Sequence, residues 1–235
     1  MTRNRLLALK TVVAVCGISV ASVALIGFAH TKTGRPLLSL LGSGSRAGAC
    51  PLGYDNAQTP EERELNRRAF ASTHAGVQAA KARPALGFEL DRTTRDDVQS
   101  WAKANHVTCT PRKAGVDMDC ENVPAALLPA HFDRVQVDSL WLNFGAEDRL
   151  ISVVAIRHDK EAAVVSEGFE QINEELTAES GLPTTIGHSS PAQLRSGLLQ
   201  QATSEYRFHN YYALSRATNM GESFVLTEEY RSLPD

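Results

Sequence analysis

The sequence predicts an α+β fold, an antiparallel sheet with helices mainly on one face, preceded by an N-terminal transmembrane or signal helix. Three observations lead to this prediction. An uncharged segment, residues 11–29, follows a basic N-terminus. Residues 85–235 contain alternating apolar stretches joined by turn signals, which is typical of antiparallel strands. The helical stretches between them have one apolar face, so we expect them to pack against one side of a sheet.

Residues 11–29 are expected to lie in a membrane. As an α-helix, this segment spans about 28 Å, close to the hydrocarbon thickness of a bilayer, and it has no polar face. Two interpretations stay open. The length favours a retained signal-anchor, whereas small-x-small sequences at 22–24 and 27–29 offer cleavage sites for a signal peptide.

The formal net charge of −3 is unevenly distributed. Residues 1–46 contain six basic residues and no acid, which leaves 18 bases against 27 acids in the remainder. Because an acidic body repels phosphate, nucleic-acid binding is not expected. The bases lie equally on both sides of 11–29, so the positive-inside rule does not orient the segment: Arg3, Arg5 and Lys10 precede it, and Lys32, Arg35 and Arg46 follow it.

Two of the four cysteines are predicted to form a disulfide. Cys109 and Cys120 lie in two strand-like stretches, 106–110 and 116–121, and a turn at 114–115 places them directly opposite each other. Such a bond persists only in an oxidising compartment, so we expect the C-terminal domain to be extracytoplasmic. The alternative is a pair of reduced, half-buried cysteines.

The other two cysteines lie outside this hairpin. Cys16 is expected to act as a small apolar residue inside the membrane segment. Cys50 lies in an Ala-Gly-Ala-Cys sequence far beyond the apolar run, without the leucine of a lipoprotein box, so lipidation is not expected. An unpaired Cys50 could crosslink to a partner or to a second copy.

The chain divides into five regions. They are a basic cytoplasmic flank at 1–10, the transmembrane signal-anchor or signal peptide at 11–29, a flexible tether at 30–58 with Gly42-Ser43-Gly44-Ser45, a helical stalk or edge helix at 59–84, and the α+β extracytoplasmic domain at 85–235. The fourth region opens with a capping box, Thr59-Pro60-Glu61-Glu62, and its helix is predicted to run to about Ala82.

The first half of the domain is predicted to be rich in strands. In order, we expect a strand at 87–90, a helix capped by Thr94, the cysteine hairpin, and strands at 135–144 and 150–157. The strand at 135–144 places Leu140, Leu142 and Phe144 on one face and Val135, Val137 and Trp141 on the other. The nearly continuous apolar character of 150–157 predicts a central strand.

The second half is predicted to alternate helices with a hairpin. A helix at 160–179, capped by Asp159, carries a buried stripe of Val165, Phe169, Ile172 and Leu176, and Gly181-Leu182-Pro183 ends it with a closing leucine contact. Ser190 caps a helix that buries Leu194, Leu198 and Ala202. Two strands, 205–216 and 222–231, flank a turn at 219–221, and Tyr206, Phe208, Tyr212 and Leu214 share one face of the first.

The sequence contains no phosphate-binding glycine loop, nucleophile elbow or zinc-protease helix motif. Glu170 and Glu174 are expected to be a solvated helix face, and Ser190 near His188 is explained as a cap. A zinc site of His106, Cys109, Cys120 and His131 fits no paired C-x-x-C spacing, and the disulfide explains its cysteines more simply. We therefore expect no catalytic residue, metal or cofactor.

The only aromatic and imidazole cluster lies near residues 206–212. If Tyr206 and Tyr212 face the core, Arg207, His209 and Tyr211 form an exposed stripe that could bind a partner. The alternative is an ordinary solvated sheet face.

One short stretch resembles a known group of proteins. Leu86-Gly87-Phe88, Leu90-Asp91, Thr94 and Asp97-Val98 resemble the strand and "T-x-x-D-V" helix opening of the BamE (SmpA/OmlA)-like and lactamase-inhibitor-like envelope modules. In those families a short α+β module behind a signal or anchor acts by protein–protein contact. The chain departs from their pattern because no lipidated cysteine directly follows its apolar run, so the resemblance implies a binding module and transfers no functional residue.

Together these observations predict a single-pass inner-membrane protein, or a secreted or periplasmic one after cleavage. Its extracytoplasmic domain is expected to bind a protein or another envelope component without catalysis. The alternative is an envelope hydrolase whose catalytic groups converge only in the fold. A pocket that places His131, His158 or His188 beside a carboxylate or serine would favour the enzyme.

Overall fold

A computed structural model describes residues 59–112, 116–128 and 134–234, and it shows an α+β fold with a seven-stranded antiparallel sheet. The predicted membrane segment, the tether, Cys16, Cys50 and His131 lie outside these residues. Within the described ranges, no helix has both the length and the apolar character needed to cross a bilayer. The described residues, from Thr59 onward, belong to one compact unit, which includes the helix at Pro60–His74.

Among the described residues, two α-helices precede four strands, and two further α-helices precede three more strands. In order they are α1 (Pro60–His74), α2 (Arg95–Ala104), β1 (Thr108–Arg112), β2 (Asp117–Val123), β3 (Val137–Phe144), β4 (Leu150–Asp159), α3 (Ala162–Ser180), α4 (Pro191–Arg195), β5 (Gln201–Arg207), β6 (Tyr211–Asn219) and β7 (Phe224–Ser232). Thr59 caps α1 and Thr94 caps α2, as the sequence predicts, and both caps are capping boxes.

The sheet consists of two meanders that meet in its centre. Its strand order is β1-β2-β3-β4-β7-β6-β5, with all neighbours antiparallel. After β4 the chain passes through α3 and α4 to the far edge and returns through β5, β6 and β7. The predicted central position of the strand at 150–157 is therefore confirmed.

The main core lies between the sheet and the helices α2, α3 and α4. The predicted stripe of α3 is fully buried and packs against the sheet face formed by alternate strand residues. That face, the core face, includes Leu140, Leu142, Ala155, Ala213 and Tyr230. Apolar side chains at every second strand position make one face of the sheet apolar. Because burying apolar surface is favourable, the helices pack over that face.

The core also buries a charge pair. Arg157 and Glu228 are each about 1% exposed and form an ion pair, and the Tyr230 hydroxyl donates to Glu228 Oε2 over 2.5 Å. Burial lowers the pKa of Arg157 to about 10, and nearby Tyr230 and Asp138 oppose the shift. The guanidinium therefore stays charged at neutral pH and depends on Glu228 for its compensation.

The helix α1 packs on the opposite face of the sheet, at one end. Its Phe70 ring lies 5.1 Å from the Tyr212 ring, and Ala71 joins Tyr212, Leu214 and Leu233 in a small apolar cluster. The helix ends at His74 rather than near Ala82. The chain after it instead runs against the β5–β6 turn, where the Gly76 N–H donates to the Phe208 carbonyl over 3.1 Å.

Two further predictions of strands are wrong. Residues 87–90 form turns instead of a strand, because Leu86, Gly87 and Asp91 adopt positive φ. The segment 205–216 is two strands separated by a turn at 208–210, so Tyr206 faces the core whereas Tyr212 and Leu214 face α1.

The chain near α3 and α4 differs from prediction too. Asp159 Oδ1 accepts the Glu161 N–H, but α3 begins after Glu161 without a side-chain cap. Leu182 is 80% exposed and makes no closing contact, and α4 is only five residues long, so Leu194 is buried while Leu198 is exposed. Ala202, also predicted on that helix, is a buried residue of β5.

Candidate functional site: the open face of the sheet

The sheet face opposite α3 is only partly covered, because α1 packs over one end of it. Beyond α1, this face presents partly exposed apolar and polar side chains in cross-strand register. We call it the open face and define it by Trp141, Val154, Ile156, Arg216, Val225 and Thr227, of which Val154 is buried and the other five are partly exposed. The sequence contained the signal for it, because strand alternation placed Trp141 opposite to Leu140 and Leu142.

A charged and aromatic group lies on the open face beside β1. The Arg112 guanidinium carbon lies 4.6 Å from the centre of the Trp141 ring, and Arg112 Nη1 lies 3.4 Å from Asp119 Oδ2. Burial raises the pKa of Asp119, and the Arg112 charge opposes that rise. Trp and Arg are the residue types that most often dominate the energy of protein interfaces.

The outer edge of β1 is unsuited to adding a further strand. Cys109 and Cys120 lie directly opposite each other, with Cα atoms 3.9 Å apart. In an antiparallel sheet, so short a distance is typical of a pair whose backbone groups do not hydrogen-bond to each other. The N–H and carbonyl groups of residues 109 and 111 therefore point outward. Because residue 111 is proline, one of these outward donors is missing, which disfavours edge-to-edge pairing.

The opposite edge, β5, is covered by the chain between α3 and α4. The Thr184 and Thr185 N–H groups donate to the Glu205 carbonyl, and the Glu205 N–H donates back to Thr185, over 2.8–3.1 Å. Gly187 passes so close to Thr203 that a Cβ there would lie 2.4 Å from its carbonyl oxygen. A partner that approaches the sheet therefore meets its open face rather than either edge.

The predicted partner-binding stripe is not one surface. Arg207 lies half-buried at the margin of the open face, where it pairs with Glu205 over 2.6 Å. His209 is exposed in the β5–β6 turn, and its N–H donates to the Gln78 carbonyl. Tyr211 is fully buried on the core face and donates to the Pro84 carbonyl over 2.6 Å. The prediction is wrong for Tyr211 because the turn at 208–210 changes the face on which it lies.

Two histidines lie beside carboxylates. Asp138 Oδ2 lies 2.8 Å from His158 Nδ1 and also accepts the His158 N–H, and Glu170 Oε2 lies 4.0 Å from His188 Nδ1. The side chains of His158 and His188 are 50% and 77% exposed, so neither imidazole is enclosed. His131, the third candidate, lies outside the described residues.

Cys109 and Cys120 form a disulfide, as predicted, in the predicted register. This bond uses both thiols of the alternative zinc set with His106 and His131, so that set has no sulfur ligand while the disulfide is intact. In the described ranges, no three His, Cys, Asp or Glu side chains gather as a metal site would require.

A small apolar tip lies where α4 meets the β6–β7 turn. Leu198, Leu199 and Met220 are 71%, 62% and 52% exposed there. Asn219 holds the two turns together, because its side-chain amide donates to the Leu194 and Gly197 carbonyls and its side-chain oxygen accepts the Gly221 N–H. Sequence reasoning missed this tip, since it placed Leu198 on the buried side of a longer helix.

Comparison of the chain with protein-family models, curated proteins and solved structures finds no match. The resemblance to envelope modules stays a prediction.

Proposed function

We propose that this chain is a membrane-anchored extracytoplasmic protein whose α+β domain binds another envelope protein and catalyses no reaction. The open face carries this proposal, because it presents Trp141, Arg112 and a row of aliphatic side chains on a sheet whose two edges are closed. A flat face with an aromatic and guanidinium group beside it suits a folded protein partner.

The charges on the open face favour a partner without a strong charge of its own. The acids at its margin, Glu205 and Glu229, pair with Arg207 and Arg231 on the same strands, and Asp119 pairs with Arg112. Because these charges are paired with each other, they attract a strongly basic or a strongly acidic surface only weakly; Arg216, whose guanidinium contacts Thr203 Oγ1, adds a further positive charge to the face.

Quantitative affinity capture of the full-length chain tests this proposal. Ile156→Arg places a charge in the middle of the open face, and Glu174→Arg places the same side chain on the exposed surface of α3, on the other side of the sheet. We expect Ile156→Arg to reduce the yield of one specific partner by about tenfold or more, and Glu174→Arg to leave it unchanged. Equal yields with both variants, at equal unfolding midpoints, would contradict the proposal.

The proposed location has its own support and its own test. The Cys109–Cys120 disulfide is typical of proteins outside the reducing cytoplasm, and residues 11–29 supply the predicted anchor. A C-terminal fusion to a reporter that is active only outside the cytoplasm should therefore be active, and an inactive fusion of the intact chain would contradict this topology.

The rival proposal, an envelope hydrolase, draws on the His158–Asp138 pair. A carboxylate that holds Nδ1 leaves Nε2 free to move a proton, which is the arrangement of a general base. A hydrolase should turn over an activated ester such as p-nitrophenyl acetate, and His158→Gln should abolish the turnover while His188→Gln retains it. We expect no turnover that depends on His158.

A further inference from the structure

The edge strand β1 is attached to the domain mainly through β2. It pairs with β2 along five residues, and the side chains of Thr108, Thr110 and Pro111 are exposed. In β1, the backbone N–H and carbonyl groups of Thr108, Thr110 and Arg112 point toward β2. Those of residues 109 and 111 point away from β2, because Cys109 and Cys120 form a pair without mutual backbone hydrogen bonds. So short a ladder gives little cooperative stability of its own.

This weakly held strand delivers the side chain that covers Trp141. Arg112 is the last residue of β1, three positions after Cys109, and its guanidinium lies 4.6 Å above the Trp141 ring. Its contact with Asp119, on β2, lies on the same face. If β1 separates from β2, the Arg112 guanidinium moves away from the Trp141 ring, and one side of that ring becomes accessible on the open face.

We propose that the Cys109–Cys120 disulfide is a redox-controlled latch, whose reduction by a dithiol protein releases β1 and uncovers Trp141. This inference rests on the proposed function, since it gives the open face two forms that differ at its aromatic centre. In the oxidised form the Arg112 guanidinium covers one side of the Trp141 ring, and in the reduced form a partner side chain can pack there instead.

The exchange reaction begins at Cys109. Its side chain is half-buried, whereas Cys120 is fully buried, so a thiolate reaches the Cys109 sulfur first. That attack forms a mixed disulfide with Cys109 and expels the Cys120 thiolate, which takes up a proton. The second thiol of the reductant then displaces Cys109, so two electrons and two protons pass to the protein and the reductant leaves as a disulfide.

Hydrogen exchange of the full-length chain, with and without dithiothreitol, tests the latch without any partner. For cysteines eleven residues apart, the chain-entropy model predicts that reduction speeds exchange of the Thr110 and Arg112 amides by about a hundredfold. The amides of β4 and β7, in the centre of the sheet, should keep their rates. In a Trp101→Phe background, reduction should also increase acrylamide quenching of the Trp141 fluorescence.

Two variants serve as controls. The double variant Cys109→Ala/Cys120→Ala should behave like the reduced protein and should not respond to dithiothreitol. Arg112→Gln, kept oxidised, should increase quenching of Trp141 without any reductant. Unchanged β1 exchange after reduction would overturn the latch, and so would exchange of β4 and β7 in step with β1, because the disulfide would then hold the whole domain. Loss of partner capture with Ile156→Arg does not bear on these readouts, so the two proposals fail separately.

Discussion

At the scale of single residues, Gly76 lies where two parts of the backbone approach each other closely. A Cβ at this position would lie 2.0 Å from the Arg207 carbonyl oxygen, which belongs to the backbone and cannot rotate away. We therefore expect Gly76→Ala to lower the free energy of unfolding by about 1–3 kcal/mol in urea denaturation. Gly197→Ala is the matched control, because no atom lies within 4 Å of its added Cβ, and it should change stability by at most about 1 kcal/mol. Equal effects of the two substitutions would contradict this account.

Thr94 and Asp97 form a capping box that lowers the pKa of Asp97 in the folded protein. The Thr94 hydroxyl and N–H donate to Asp97 Oδ2 over 2.7 and 2.8 Å, and these bonds lower the pKa of Asp97, the hydroxyl contributing most. Because the folded-state pKa lies below the unfolded one, the stabilisation is present above the usual pKa of a carboxyl group and is lost as pH falls through the lowered value. NMR titration should show the pKa of Asp97 rising in Thr94→Ala but not in Thr94→Ser; the same pKa in both variants would refute the role of the hydroxyl.

At the scale of elements, Asp91 attaches α1 to the sheet. Its carboxylate accepts from Arg67 of α1 over 2.7 Å and from Arg83 over 2.9 Å, and it also contacts the Ser232 hydroxyl at the end of β7. Asp91 has a φ of 66°, a conformation that asparagine also tolerates.

Asp91→Asn should therefore loosen α1 without straining the backbone. Because the ion pairs are partly exposed, we expect amide exchange in α1 to rise several-fold, up to about tenfold, while β4 and β7 keep their rates. Glu89→Gln, which removes an exposed ion pair with Arg92, is the control and should leave α1 unchanged. Exchange in α1 that is equal in the two variants would show that Asp91 does not hold the helix.

The elements that sequence reasoning identified are those with a repeated pattern. Apolar spacing in α3 and alternation from Leu140 to Phe144 in β3 set their buried faces directly. The nearly continuous apolar character of 150–157 indicated the central position of β4, and the cysteine register followed from one turn. The β5–β6 turn was missed because Phe208-His209-Asn210 contains neither glycine nor proline, so the alternation looked continuous. The predicted longer helix from Ser190 failed because Leu199 adopts a φ of 60° and residues 201–207 pair with β6 instead.

At the scale of the whole molecule, the buried pair of Arg157 and Glu228 joins the two meanders across the central β4–β7 contact. Glu228→Gln would leave a buried guanidinium without its countercharge, so we expect a loss of about 3–5 kcal/mol in the free energy of unfolding. Glu229→Gln, on the next residue but the opposite face, removes only the partly exposed pair with Arg231 and should cost less than about 1 kcal/mol. A small, equal effect of both would mean that the buried pair contributes little.

The candidate site was less predictable than the fold. Strand alternation correctly separated Trp141 from Leu140, Leu142 and Phe144, but it was wrong for Val137, which is buried in the main core. No local pattern shows that helices leave this face uncovered or that Arg112 reaches Trp141 from another strand. Tyr211 was assigned to the wrong face for a different reason: the turn at 208–210 was not recognised, and the face of every residue after a turn depends on that turn. Binding surfaces of this kind arise from the arrangement of elements rather than from a motif.

Site-specific photo-crosslinking tests the central claim, binding through the open face, most directly. A benzophenone amino acid at Thr227, on the open face, should crosslink the full-length chain in cells to one dominant protein partner. The same amino acid at Glu174, exposed on α3 behind the sheet, should not. A crosslink at Thr227 that is lost with Ile156→Arg is the result that the account predicts. Equal crosslinking at the two positions, or crosslinking at Glu174 alone, would contradict it.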